Sequence, residues 1–254
     1  MSKTLLLAYV ALLHLALALC FVEGSSLSWL HRHVLGHQHQ REEFTAYYKK
    51  MLQYHLRMDG NVADDSVIFI GDSLTQSLCV SAVANPAVNY GIGHDTTVGV
   101  LERLPQYSSL ARASVIVIEI GTNDITRRRD EETMANFERI GRSLPAGIPA
   151  VFSAILPVND TTRVDLRGRN ARARELNAYL RRYCQLSDRF VFVDAGPALM
   201  DQDGRLSARF HDGDGIHLNA DGNAVWIAAL RRGIVEAKEK AAKRGALPIV
   251  PVAG

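Results

Sequence analysis

Apolar residues follow two rhythms along the chain. Short runs rich in β-branched and aromatic residues recur at 67–70, 87–90, 114–120, 149–156 and 190–194, and such runs predict buried strands. Between them the apolar positions return at helical spacing. Residues 74–84 predict a helix ended near Asn85-Pro86, because the residue before a proline leaves the helical region. Residues 98–104 predict another, and 131–144 an amphipathic one with Met134, Phe137, Ile140 and Leu144 on one face. Residues 167–186 predict a long helix whose arginines form a solvated face. Residues 196–214 predict loop and turn before a last helix that starts at Asn219-Ala220-Asp221 and runs through Ala237. Phe44, Tyr47, Tyr48, Met51, Leu52 and His55 add a helix ahead of the first strand. Strands alternating with helices imply βαβ units, right-handed crossovers and a parallel sheet. The expected architecture is a three-layer α/β fold with about five parallel strands, with no internal repeat and no second core.

The two ends differ from this pattern. Lys3 gives a minimal positive start, residues 4–22 are almost wholly apolar apart from Tyr9 and His14, and Val22-Glu23-Gly24 precedes Ser25-Ser26 like a cleavage site. A secretory signal over 1–24 is expected. An uncleaved anchor is the alternative, since about 17–25 apolar residues can span a bilayer. Leu19 before Cys20 is too large for a lipoprotein signal. Either reading places the folded part outside the cytoplasm, secreted or periplasmic, with membrane contact only through residues 4–22. Without that segment two cysteines remain, Cys79 and Cys184, and an exported protein can hold them as a disulfide or as free thiols. Residues 25–65 form a helical segment, 66–237 the main domain, and 238–254 a charged helix end with a loose tail. His31, His33, His37 and His39 in the first of these include i,i+4 spacings, but no cysteine or nearby acid joins them before Glu42. They read as a solvated polar face. The formal charge of +2 and the 22% of charged residues describe an ordinary globular chain rather than a nucleic-acid binder.

The unusual residues follow strands or precede helices on one edge, the carboxyl edge where open α/β sheets place ligands. Ser73 follows the first strand, where its hydroxyl stands clear and its own N–H lies at a helix N-terminus. A serine nucleophile needs a base and a group that orients the base. Asp214-Gly215-Ile216-His217 can supply both from one turn. Donors for a developing oxyanion are the Ser73 N–H, an N–H in the 91–95 loop (Gly93 or His94) and the Asn123 amide. Each residue also has a plainer reading: Ser73 as a helix N-cap, Asp214 as an acid in a loop before a helix, and Asn123 as a turn residue.

Four blocks in order resolve that choice. Gly-Asp-Ser-Leu at 71–74, Asn-Tyr-Gly-Ile-Gly-His-Asp-Thr at 89–96, Gly-Thr-Asn-Asp at 121–124 and Asp-Gly-Ile-His at 214–217 resemble the signature blocks of the SGNH (GDSL) hydrolases. The resemblance covers residues 66–237 and implies a flavodoxin-like sheet. It also implies a catalytic triad of Ser73, Asp214 and His217, with Asn123 and the second block's loop completing the oxyanion hole. The Gly-Ile-x-x-Asp-Thr-Thr phrase is similar to that of platelet-activating-factor acetylhydrolase-like and lysophospholipase-like esterases. In those members the residue before Asp-Thr is commonly glycine; here it is His94, which either shapes substrate choice or faces solvent. Other readings fail on the residues. There is no G-x-S-x-G elbow, no third glycine after Gly91 and Gly93, no calcium-loop spacing around Asp201, and no P-loop. The expected protein is an exported serine esterase acting on acyl esters of lipids or carbohydrates through an acyl-serine intermediate, without metal or cofactor. An acyltransferase using the same triad and a non-catalytic binding module are the alternatives.

Overall fold

The computed structural model describes residues 43–246, together with Leu5, Tyr9 and His14 in helix from the segment before them. Apart from those three positions, the 4–22 run, the cleavage site, the histidines of 31–39 and the 247–254 tail lie outside the described residues. Among the described residues no helix is long and apolar enough to cross a membrane.

A helix α1 (Ala46–Asp59) leads into strand β1 (Val67–Gly71), a one-turn helix α2 (Ser73–Gln76) and β2 (Ala87–Gly91). Then come α3 (Thr97–Arg103), β3 (Val115–Glu119), α4 (Asp130–Ser143), β4 (Ala150–Ser153), α5 (Arg169–Gln185) and β5 (Phe190–Val193). A short α6 (Gly196–Leu199) and a long α7 (Ala220–Ala246) close the chain. The sheet is wholly parallel in the order β2-β1-β3-β4-β5. Its order reverses beside β1, so the crevice beyond the carboxyl ends of β1, β2 and β3 is the place for a ligand.

Both faces of the sheet are covered, which is why its central strands read as largely apolar runs. Ile68 and Ile70 turn toward Val100, Phe137, Ile140, Leu176 and Leu180 on one side. Val67 and Phe69 turn toward Leu74, Trp226, Leu230 and Ile234 on the other. The compact unit begins at Glu43, so α1 belongs with the sheet. Its Tyr48 hydroxyl donates to the Gly99 carbonyl at 2.8 Å, and Asp59 accepts from the N–H groups of Ser108 and Ser109.

Two sequence expectations change, and the open question of the cysteines is answered. The predicted helix over 74–84 is only the one turn of α2 followed by a 3₁₀ turn at Val80–Ala82. Asn89, on β2, stops it by donating its amide to the carbonyls of Thr75 (2.7 Å) and Leu78 (3.1 Å). Those carbonyls would otherwise continue the helical ladder. The arginines of α5 are not all solvated: Arg169 is buried, and Arg172 donates to Asp130 and to the carbonyls of Ile125 and Arg128. Cys79 is exposed and Cys184 buried, and both are free thiols. Burial pushes the Cys184 thiol up to about 12, which makes it an inert core residue.

Candidate active site

The end of β1 is shaped so that the chain can turn directly into α2. A Cβ on Gly71 would stand 2.1 Å from Thr75 Oγ1 and 2.2 Å from the Glu119 carbonyl oxygen, so only glycine fits there. Asp72, not Ser73, caps the helix: its Oδ1 accepts the Leu74 N–H at 3.0 Å. Ser73 is thereby the first helical residue, with an N–H that no carbonyl of the described residues accepts.

Ser73 Oγ lies 2.9 Å from His217 Nε2, and His217 Nδ1 lies 2.5 Å from Asp214 Oδ2. The other Asp214 oxygen accepts the N–H groups of Ile216 (2.8 Å) and His217 (2.9 Å). Burial opposes ionisation of Asp214, but the His217 hydrogen bond and the two backbone donors outweigh it and bring the carboxyl down to about 2. The turn that carries both residues is fixed by neighbours the sequence did not suggest. Gly215 has φ +79°, and a Cβ there would meet Thr162 Oγ1 at 2.1 Å and the Asn159 carbonyl at 2.7 Å. His211 Nδ1 accepts the N–H groups of Gly213 and Gly215 at 3.0 and 3.3 Å.

The depressed Asp214 carboxyl has a sign that can be checked. Its folded value lies below the unfolded value of about 4, so its contribution to stability is complete above that and is lost as pH falls toward about 2. Urea denaturation across this window should show wild type losing stability with acid more steeply than Asp214→Asn. Parallel slopes would show that the carboxylate is not held as described.

Across the cleft, the loop between β2 and α3 presents His94 in a left-handed conformation, φ +64°, with its side chain exposed. This conformation strains a non-glycine residue by about 1–3 kcal/mol. The Gly93 N–H is engaged by Gln76 Oε1 at 2.5 Å, and Gln76 Nε2 in turn donates to the Tyr47 hydroxyl at 2.5 Å. The His94 N–H has no acceptor among the described residues. Asn123 donates its amide to the Asp95 carbonyl at 3.0 Å and to Asp72 Oδ2 at 3.3 Å. Ser73, the His94 loop and Asn123 therefore meet at one edge, while Gly93 is turned to Gln76.

Glu43 ties this edge from outside the four blocks. It accepts from Thr96 Oγ1 at 2.7 Å and pairs with Arg127 at 3.4 Å and with Arg128, which also bonds Asp124. Nothing local marks Glu43; its role depends on loops that approach from 53 and more residues away. Beside Ser73 and His217 opens a cleft of about 390 Å³, lined also by Gln76, Ser77, Asp212 and Leu218. A hydroxyl, an imidazole and a carboxylate in line at such distances can move the serine proton to His217 while Asp214 holds the ring.

Comparison with known proteins agrees with the geometry. The sequence model of the GDSL-like lipase/acylhydrolase family matches residues 69–225. Platelet-activating factor acetylhydrolase IB subunit alpha1 of Pongo abelii is 30% identical over 190 residues, covering 70% of this chain and 79% of that protein. A GDSL-like lipase from Bacteroides thetaiotaomicron superposes with a TM-score of 0.64 at 18% identity, covering 73% of this chain and 98% of that one. A catalytic mutant of an acetylxylan esterase from Geobacillus stearothermophilus gives 0.54 at 16% identity, covering 67% and 94%. The two solved structures share the fold.

Proposed function

The chain belongs to the GDSL-like lipase/acylhydrolase family and is a carboxylic ester hydrolase, and from that premise we propose that it works through an acyl-Ser73 intermediate. The observation that supports this is the continuous line Ser73 Oγ–His217 Nε2–Asp214 at 2.9 and 2.5 Å. Ser73 Oγ attacks the ester carbon as its proton passes to His217 Nε2. The tetrahedral intermediate collapses, and the departing alcohol takes that proton. Water then repeats the sequence on the acyl-serine, losing a proton to His217, which returns it to Ser73 Oγ as the acid leaves. Asp214 orients the ring and stabilises the imidazolium throughout.

The oxyanion is held by the Ser73 N–H, the His94 N–H and one Asn123 N–H, the last exchanged from its long 3.3 Å bond to Asp72. Gly93, engaged by Gln76, contributes by fixing the loop. The acetyl group in the name of the Pongo abelii relative favours short acyl chains, and the polar side chains lining the cleft suit a hydroxylated alcohol. Residues 1–24 add export to this reading, which amino-terminal sequencing of the expressed protein checks: a start near Ser25 supports cleavage, and an intact 4–22 run an anchor.

The test is hydrolysis of p-nitrophenyl esters across acyl lengths by wild type and Ser73→Ala. Turnover lost in the variant supports the mechanism; unchanged turnover removes Ser73 from it. Turnover in wild type that rises on addition of a sugar acceptor, with acyl product on the sugar, shifts the reading to a transferase. Binding of esters with no turnover shifts it to a binding module. His94→Gly should relieve the strained loop and change the ratio of acetyl to butyryl turnover while retaining activity. An unaltered ratio would leave His94 as a solvent-facing residue with no part in acyl choice.

A further inference from the structure

Behind the nucleophile sits a second acidic pair that the mechanism above does not use. Glu119 is the last residue of β3 and pairs in register with Gly71, the residue before Asp72. Asp72 and Glu119 are each 1% exposed, and the Glu119 side chain is within hydrogen-bond reach of the Asp72 carboxyl. Among the described residues neither carboxyl is paired with an arginine or lysine. Arg103 is bonded to Asp95, and Arg128 to Asp124 and Glu43, while Asp95 and Asp124 add negative charge from the flanking loops. On the cleft side the charge of His217 favours the Asp72 anion, and that ring is committed to Asp214.

The hydrogen bonds favour the charge on one member of the pair. Asp72 accepts from the Leu74 N–H and from Asn123. Glu119 receives only the long 3.4 Å bond from Thr75 Oγ1, and its Oε1 has no donor among the described residues. Two buried carboxyls sharing one site hold a proton between them, and donors mark the charged partner.

Resting on the serine mechanism, we propose that Glu119 is a positioning residue: a neutral carboxylic acid that donates its proton to Asp72. This hydrogen bond occupies the Asp72 carboxylate and eases the release of the Asn123 amide to the oxyanion. It also keeps the pair at one negative charge instead of two beside the place where the oxyanion forms. Burial raises both carboxyls, Asp72 to about 7 and Glu119 well above the carboxylate range, in keeping with a retained proton.

Glu119→Gln and Glu119→Leu, compared with wild type, test this. Gln is isosteric, always neutral and able to donate to Asp72. It should keep kcat within about threefold at neutral pH and carry activity further into alkali than wild type, which loses turnover when the pair gives up its last proton. Leu, which cannot donate, should lower kcat by about tenfold or more with KM little changed. An alkaline limb that Glu119→Gln leaves in place, or a Glu119→Leu enzyme as fast as wild type, overturns the proposal.

A second readout does not depend on turnover. The infrared carbonyl stretch of a protonated, buried carboxylic acid should be present in Ser73→Ala at pH 8 and absent from Ser73→Ala/Glu119→Gln. Absence of the band in the first protein overturns the proposal even where a Glu119 variant fails to fold. A band that persists while Ser73→Ala retains full esterase activity would sink the serine mechanism and leave the proton assignment standing.

Discussion

Ser73→Ala is expected to lower kcat for p-nitrophenyl acetate by about 10⁴-fold or more, with KM changed by little. In the proposed mechanism the hydroxyl is the group that forms and breaks the bond, so its loss should remove transition-state stabilisation and leave ester binding in the cleft. Thermal stability should barely move. Ser73 is half-buried, its Oγ makes one hydrogen bond, to His217, and the cap of α2 belongs to Asp72. His217→Ala should cost nearly as much as Ser73→Ala, and the double variant scarcely more than either, because a nucleophile without its base and a base without its nucleophile fail for the same reason. The residual rate in all three should exceed the uncatalysed one through the N–H groups of Ser73 and His94 and the Asn123 amide. Single losses that add in the double variant would mean that Ser73 and His217 serve separate steps, contrary to their 2.9 Å contact.

Strands β1, β3 and β4 were legible because each is buried on both faces and so spells a short, largely apolar run. The four blocks were legible through their resemblance to the family's signature motifs. What could not be read were contacts made across the fold. The 74–84 stretch has helical composition, yet Asn89, 11 to 14 residues further on, takes the carbonyls that the helix needed. Arg172 looks like a solvent residue until Asp130 arrives from another helix. His211 and Glu43 carry no local mark, since the N–H groups and hydroxyls they accept are assembled only when the loops close. Glu119 reads in sequence as one charged interruption of an apolar strand. Only the register that sets it beside Gly71 brings it to Asp72. Periodicity records which face is buried; it holds no record of which polar groups end up facing one another there.

Arg103 is the position where that hidden layer has its largest expected effect on stability. The side chain is fully buried, and its guanidinium bonds Asp95 Oδ2 at 2.9 Å through both Nε and Nη2. It also donates to the Tyr90 carbonyl at 2.7 Å and the Gly71 carbonyl at 3.0 Å, so one residue ties the ends of β1 and β2 to the loop that carries His94. Arg103→Leu takes a donor from the Tyr90 and Gly71 carbonyls, the latter keeping the Ile92 N–H, and leaves a buried carboxylate without its counter-ion, a loss of about 3–5 kcal/mol. Burial already lifts the Asp95 carboxyl to about 6 against the pull of Arg103, and without the arginine it rises further. A folded value raised above the unfolded value of about 4 means that the native state binds the extra proton, so stability falls as pH rises through that window. The variant should therefore be more stable at pH 5 than at pH 8 by urea denaturation, the opposite slope to that contributed by Asp214. Arg103→Leu/Asp95→Asn should lose this pH dependence and recover part of the deficit, because the uncompensated charge is gone while the donors lost to the Tyr90 and Gly71 carbonyls are not replaced. Esterase activity should fall in the single variant as well, since Asn123 is held through the Asp95 carbonyl at 3.0 Å. An Arg103→Leu protein that unfolds within about 1 kcal/mol of wild type, with no new pH slope, would show that the strand ends hold the loop without this ion pair.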